Sequence, residues 1–293
     1  MGEVQLVKHI REDNILRESF FELAYAIFGL DFKSWYEQGY WNNRYIPYSF
    51  HHQNKIIANV SVNLLDFIID GKKHRAIQIG TVMTHPDFRH QGLSQELMNR
   101  VLSEYKNQYD FMYLFANKTV LDFYPKFGFE KVEEEQSTIE VSFDGQPKNK
   151  LQKLDSRKKK DLELIYHFAK QRAPVSQRFA TINSLHLFMY HCVNTFRDNL
   201  YYHPTEDAIV LFEQTNDQIH LFDIVSRKKP NYDKILAIIA GEGRHEVIFH
   251  FTPDDPKFDY KRNLYEDGGT LFVRTNGIHT FPSRVKHSVT SEA

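Results

Sequence analysis

The residues best placed to do chemistry run Arg89-His-Gln-Gly-Leu-Ser94, a short turn between the apolar stretch Ala76–Thr84 and an amphipathic one. Gly92 lets an anion approach the main chain with no Cβ in the way. The N–H groups opening the helix that follows lack intrahelical partners, and the helix dipole adds positive charge there. Arg89 supplies a full positive charge. A phosphate-bearing ligand suits such a turn. A bare R-x-x-G-x-S string is also an ordinary surface turn, so its flanking elements decide. Downstream, Asn117 offers an amide and Tyr124 a phenol, the latter protonated at neutral pH with an ordinary pKa of about 10.

Other reactive side chains are less pointed. Cys192 is the one cysteine and sits in the apolar run Leu185–Val193, which suits a small buried hydrophobe better than a nucleophile. The chain has 15 histidines, so any single one has a structural or exposed place by default. His51 and His52 would lie on opposite faces of a strand, and no His/Cys/Asp/Glu spacing reads as a metal site. Glu22, His51, His52 and Asp66 are the acid–base candidates by rough placement, and His85, before Pro86, reads as a turn residue.

The elements that position these residues are visible as periodicities. Ile15, Leu16, Phe20, Leu23 and Ile27 predict a helix over 13–28, and 31–39 predicts a second, closed by Gly39. Residues 45–52 read as a strand. Residues 56–65 alternate strictly, with Asn59, Ser61 and Asn63 making one face polar. Asp70-Gly71 predicts a hairpin into strand 76–84. Leu93, Leu97, Met98, Val101 and Leu102 form one apolar helical stripe. A strand at 111–115, a helix at 118–126 and an extended stretch at 129–143 complete the first half.

A basic linker with Gly145, Pro147 and lysines from Lys148 to Lys160 follows, with Asp155 or Ser156 as the cap of the next helix. Helices at 156–172 and 182–197, strands at 208–214 and 218–226, a helix at 231–240 and a strand at 246–252 then repeat the order of the first half. Two short strands are read beyond the loop at 253–269, with a frayed tail past Val289. The expected division is 1–145, a linker at 146–160, and 161–293.

Bulk composition excludes several classes. With 37 basic and 38 acidic residues there is no electrostatic footprint for nucleic acid or a membrane surface. The linker's basic run lacks interleaved aromatics and reads as solvated. No run reaches the about 18 apolar residues that span a bilayer, the first residues lack a leader's apolar core, and one thiol suits a reducing compartment. A cytoplasmic protein is the expectation.

Thr81–Ser94 resembles the acyl-CoA signature of the GNAT (GCN5-related N-acetyltransferase) superfamily, Q/R-x-x-G-x-G/A. Arg89 and Gly92 stand at matching positions, and Ser94 stands where Gly or Ala is usual. Phe115–Phe129 is similar to the family's second motif, an Asn followed by aromatic-Tyr-x-x-x-Gly-Phe, with Asn117 and Tyr124 matching. Together with the upstream elements, the resemblance covers roughly residues 3–143. It implies an α/β (α+β) fold: a mixed, mostly antiparallel twisted sheet flanked by helices. The strands carrying Val82 and Phe115 would splay to admit acetyl-CoA. The cosubstrate would be held by Val82, Met83, Thr84, Arg89, His90, Gln91, Gly92, Leu93, Ser94 and Asn117, with no metal. A primary amine on a small molecule or peptide would attack the thioester directly, in a ternary complex. Tyr124 would protonate the leaving thiolate, and the Met83 N–H would polarise the carbonyl.

Trp35, Tyr36, Tyr40, Trp41, Tyr45 and Tyr48 would border the acceptor side, at least half of them as packing. The second half resembles a degenerate GNAT-like domain, since Arg227-Lys-Lys-Pro-Asn231 replaces the cofactor turn; a lid or dimerisation domain, and a homodimer, also suit it. The first half with its appended domain is similar, too, to multi-domain bacterial acetyltransferases of the Eis type, but the chain is too short for their full three-domain version and is not assigned to them. A non-catalytic acyl-CoA sensor on the same fold is the alternative function.

Overall fold

Asp13 caps the first helix, its carboxylate accepting from the N–H groups of Ile15 and Leu16 at 3.0 Å each. The computed structural model describes residues 3–144 and 150–293, so the expected linker residues Gly145, Pro147 and Lys148 lie outside the described residues. In chain order the first half comprises β1 (Gln5–Val7), α1 (Asn14–Phe28), α2 (Lys33–Glu37), β2 (Tyr45–His52), β3 (Lys55–Ile69), β4 (Lys72–Thr84), α3 (Leu93–Glu104), β5 (Phe111–Ala116), β6 (Glu130–Lys131) and β7 (Glu135–Phe143). β3 and β4 meet at Asp70 and Gly71, both with positive φ, as the Asp-Gly pair predicts. α3 buries Leu97, Met98 and Val101 against the sheet, which fixes where its N-terminus points.

Two expectations fail locally. Residues 118–126 do not form an α-helix; Tyr124–Phe127 is a single 3-10 turn. Pro125 has no N–H to give an i−4 partner, and it fits the first turn of a short element instead. The helix after the linker begins at Lys159 with neither Asp155 nor Ser156 capping it; Asp155 pairs with Arg157, and Ser156 is buried.

The second half adds β8 (Gln152–Lys153), α4 (Lys159–Lys170), β9 (Phe179–Ile182), α5 (Leu185–Val193), β10 (Leu200–His203), β11 (Ala208–Thr215), β12 (Gln218–Ser226), α6 (Tyr232–Ala240), β13 (Gly243–Phe249), β14 (Lys261–Leu264) and β15 (Thr270–Thr275). Two mixed, mostly antiparallel sheets result. The first runs β1-β2-β3-β4-β5-β15-β6, with β9 also on β3, and the second runs β14-β7-β13-β12-β11-β10-β8.

The sheets do not divide at residue 145. β7 leaves the first half and pairs antiparallel with β13 along Ser137–Phe143. β15 returns from the far end of the chain and covers β5 along Phe111–Ala116. Each half thus donates a strand to the other's sheet. Both donated strands are apolar on their inner positions: Ile139 and Val141 enter the second core, and Leu271, Phe272 and Val273 the first.

The second sheet repeats the first in one respect. β12, α6 and β13 follow the order of β4, α3 and β5, and β12 pairs parallel with β13 only over Gln218–Leu221. Beyond that the space beside β12 is filled by the chain's own tail. Val289 N–H donates to the His250 carbonyl at 3.2 Å, and Thr290 donates to Asp223, which Arg172 also grips at 2.7 and 2.8 Å. The tail past Val289 is therefore not frayed: Thr290 and Ser291 are buried, and Lys286, at 1% exposure, pairs with buried Glu134. Apolar contact and these ion pairs outweigh end fraying.

Because β15 supplies six paired residues to β5, a fragment 1–145 should not fold as a soluble unit. It would leave β5 as an unpaired apolar edge. Expression of 1–145 should give aggregated or exchange-unprotected protein by gel filtration and hydrogen exchange, and a soluble, cooperatively melting fragment would contradict the strand exchange.

Candidate functional site: a cleft between splayed strands

The cleft begins where β4 and β5 stop pairing. Their parallel ladder has three residue pairs, Ala76↔Phe111, Ile77↔Met112 and Gln78↔Tyr113, although the strands run on to Thr84 and Ala116. From Ile79 onward the edge of β4 facing β5 has no ladder partner. Its N–H and C=O groups are open to an extended, amide-bearing chain, the geometry of strand addition.

A bulge sets the divergence. Ser61 pairs with Gly80 but Asn59 pairs with Met83, so Thr81 and Val82 face a single residue of β3, and Thr81 takes a φ of 49°. A β-branched residue at positive φ is costly and persists only where its surroundings hold it. Here Asn59 donates to the Thr81 carbonyl at 2.9 Å, and the Tyr45 hydroxyl lies 3.2 Å from Thr81 Oγ1.

Asn59 belongs to the polar face that alternation marks on β3, and that face is buried: Asn59, Ser61 and Asn63 are all at 0% exposure. Ser49 and Ser61 hydrogen-bond Asn59, Ser61 donates to Tyr45, and His186 of α5 meets Asn63 at 3.1 Å. Burial pushes the His186 imidazole down to about 3, with Arg44 adding to the shift, so it is neutral at pH 7. Asn59, Ser61 and Asn63 each have partners, which makes their burial tolerable and the bulge rigid.

The turn beyond β4 closes one end of the cleft. His85 Nδ1 accepts from the Asp87 N–H at 3.3 Å, as a turn residue. Arg89 folds back toward the Thr84 carbonyl, its Nε at 3.4 Å. His90 and Gly92 have φ of 62° and 77°, and a Cβ built on Gly92 would meet nothing within 4 Å, so the approach to the start of α3 is open. Ser94 replaces the smaller residue of the family pattern without conflict: its hydroxyl lies 2.6 Å from that of Thr84, tying helix to strand.

The cleft has a volume of about 780 Å³, within the range that holds drug-sized and cofactor-sized ligands. Val82, Met83, Thr84, Arg89, His90, Gln91, Gly92, Leu93, Ser94, Asn117 and Tyr124 all line it. Tyr124 is 5% exposed, and burial raises its phenol to about 12. The donated strand holds it in place: Phe272 packs 5.8 Å from its ring, and Arg274 donates to the Phe127 carbonyl at 2.8 Å, bracing the 3-10 turn.

Other expected residues lie elsewhere. Glu22, His51, His52, Asp66 and His85 are absent from the cleft wall, and among the described residues that wall carries no carboxylate side chain. Asp66 pairs with Lys73 and Asn183 toward the opposite end of β3. The six aromatics from Trp35 to Tyr48 are also missing from the wall. Trp35, Trp41 and Tyr45 form a core with Phe20 and Phe32, and Tyr48 bonds Glu104. Ile27, Phe28 and Leu30 border the cleft instead, with Ala293 of the tail beside Gly80. Gln78 seats that tail, donating to the Ser291 carbonyl and accepting from the Ala293 N–H at 3.0 Å each, its amide oriented by those partners. Phe272, Arg274, Gln78 and the tail had no local signal in the sequence, because their roles come from segments about 150 or more residues apart.

Residues 14–132 match the family model of the acetyltransferase (GNAT) domain. A search of curated proteins found no match. Solved structures share the fold over nearly the whole chain. A probable N-acyltransferase from Enterococcus faecalis V583 aligns with a TM-score of 0.62 at 15% identity, covering 94% of this chain and 73% of that one. Eis1 from Mycobacterium abscessus aligns at 0.58 and 14% identity, with the same coverages of 94% and 73%. A GCN5-related N-acetyltransferase from Kribbella flavida aligns at 0.55 and 13% identity, covering 94% and 71%. Residues 14–132 thus carry the match to a GNAT acetyltransferase domain, and the two sheets together have the fold of these solved structures.

Because a Cβ on Gly80 would lie 2.9 Å from the Ala293 Cβ, Gly80→Val should unseat the tail. The expected loss in urea unfolding is about 1–3 kcal/mol, the usual cost of overpacking. Unchanged stability would show that Ser291–Ala293 do not pack there.

Proposed function

We propose that the cleft binds acetyl-CoA and transfers its acetyl group to a primary amine by direct attack, as an N-acetyltransferase. The observation that carries this reading is the junction of three features: the unpaired β4 edge, the open N-terminus of α3 at Gly92, and Tyr124 in the wall between the splayed strands. The first suits the amides of pantetheine, the second suits the pyrophosphate, and Arg89 adds charge to the same end. The residues thus fit the cosubstrate.

In the proposed reaction the amine nitrogen forms a bond to the thioester carbonyl carbon, the C–S bond breaks, and the sulfur leaves with the bonding pair. The nitrogen sheds one proton and the sulfur gains one. Charge developing on the carbonyl oxygen would be met by a main-chain donor of the open β4 edge beyond the bulge; Met83, the residue expected for this, pairs with Asn59 of β3 instead. With its phenol near 12, Tyr124 is a weaker acid than a free tyrosine and stays protonated across the neutral range. It serves best as a hydrogen-bond donor to the developing thiolate, because full transfer to a thiol with a pKa of about 8.5 is uphill by about 5 kcal/mol. The amine attacks in its neutral form, and the proton it sheds passes to the His90 side chain on the cleft wall or to solvent. Ile27, Phe28 and Leu30 at the border favour an acceptor with an apolar body, a small molecule or peptide.

Release of free CoA thiol from acetyl-CoA across an amine library tests the reading. Tyr124→Phe should lower kcat by about 10²-fold, in the range of a lost hydrogen-bond donor to developing charge, and leave CoA affinity within a factor of two or so. Equal loss of both would make Tyr124 a packing residue. CoA binding without turnover on any amine would favour a non-catalytic acyl-CoA sensor.

A further inference from the structure

The strand exchange assembles a cluster that no stretch of sequence contains. His74 on β4, Asp110 just before β5 and His279 just after β15 place one ligand-capable atom each within 4.8 Å of one another. His74 Nδ1 lies 3.9 Å from Asp110 Oδ2, and His279 Nε2 lies 3.7 Å from Asp110 Oδ1. In a tetrahedral zinc site with bonds of 2.0–2.2 Å, neighbouring ligand atoms stand about 3.4 Å apart. Closing the set from separations of up to 4.8 Å takes side-chain movement of about an ångström.

The backbone around the cluster is fixed. Asp110 N–H donates to the Arg75 carbonyl at 2.9 Å, and Asn276 N–H donates to the Asp110 carbonyl at 3.1 Å, so all three contributing segments are tied through Asp110. The Phe111 ring packs against both imidazoles, with centroids 5.6 Å from His74 and 5.8 Å from His279. The Asp110 carboxylate accepts from the Arg75 N–H on Oδ2 and from its guanidinium on Oδ1, at 2.9 and 3.0 Å. A carboxylate has about four lone-pair sites, so each oxygen keeps one for a cation. The Arg75 bonds orient the carboxylate as outer-shell donors do at known sites. The guanidinium's charge opposes a cation, yet it is more than half exposed, where water weakens the repulsion.

We propose that His74, Asp110 and His279 form a binding site for a divalent transition ion, of which Zn²⁺ is the probe. The two imidazoles, borderline donors, make the set suit Zn²⁺ over Mg²⁺ or Ca²⁺, the carboxylate is also a normal zinc ligand, and a water completes the shell. The site lies six residues along β4 from Gly80, about 20 Å away at strand spacing, so it is separate from the transfer cleft. Its ligands span β4, β5 and β15. An ion there clips the strand donated by the second half onto the first sheet, the same strand that braces Tyr124.

The test uses the full chain, free of any affinity tag and stripped with a chelator, titrated with Zn²⁺ against a chromophoric competitor. One equivalent should bind in the micromolar range or tighter, raise the thermal midpoint, and lose that rise on adding EDTA. His74→Gln and His279→Gln, which keep the Asp110–Arg75 pair, should each bind at least tenfold more weakly, while exposed His167→Gln on α4 should bind as the wild type does. Circular dichroism of both variants checks their folding, and the chelator reversal on the wild-type chain stands without them. Absence of a stoichiometric equivalent, or equal affinity in His74→Gln and His279→Gln, overturns the site and assigns any bound zinc to other histidines.

Discussion

The parallel pairing of β4 with β5 ends after three residue pairs, and the chemistry of the molecule depends on that early stop. Ladder hydrogen bonds are the default for two adjacent strands, so their loss beyond Gln78 needs a cause. It lies in the bulge at Thr81 and Val82, which bends β4 away from its neighbour. The bulge in turn rests on Asn59, whose amide holds the Thr81 carbonyl, and on the buried polar chain through Ser61 and Tyr45. A polar stripe inside a sheet is therefore what keeps a slot open at its edge. α3 then aims its unpaired N–H groups at the same slot, because Leu97, Met98 and Val101 anchor it against the sheet.

Much of this could be read locally. The Arg89–Ser94 turn, the strand before it, the stripe of α3, and Asn117 and Tyr124 all sit within about 50 consecutive residues, where periodicity and turn chemistry carry the information. The residues that failed to read did so for three physical reasons. Pro125 overrode the helical pattern of 118–126. The aromatics from Trp35 to Tyr48 are as well suited to a core as to a binding wall, and the core took them. Tertiary covering decided the rest: alternation marks Asn59, Ser61 and Asn63 as one polar face but not where it lies, and the fold buries it, with His186 of α5 meeting Asn63.

The exchange of β7 and β15 explains why the two halves act as one body. Each sheet lacks a partner for its last parallel strand until the other half provides it. The second sheet also shows what happens to such a slot when no ligand turn accompanies it. Beside β12 the residues Val289 and Thr290 take the place that is open beside β4, hydrogen-bonded to His250 and Asp223. The tail that fills this second slot continues to the floor of the first, where Gln78 receives it. One segment thus closes the cleft-like space of one half and shapes the cleft of the other. Its path is held by Lys286 against Glu134, a buried pair whose loss would strand a charge.

Hydrogen exchange with and without CoA tests the central claim most directly, since an inserted pantetheine chain must occupy the free β4 edge. Slower exchange confined to residues 79–84 and the first turn of α3, with 222–226 and 287–291 unchanged, is the expected result. Unchanged exchange at 79–84 in the presence of saturating CoA, or protection appearing beside β12 instead, would contradict the assignment of the open slot as the cosubstrate site.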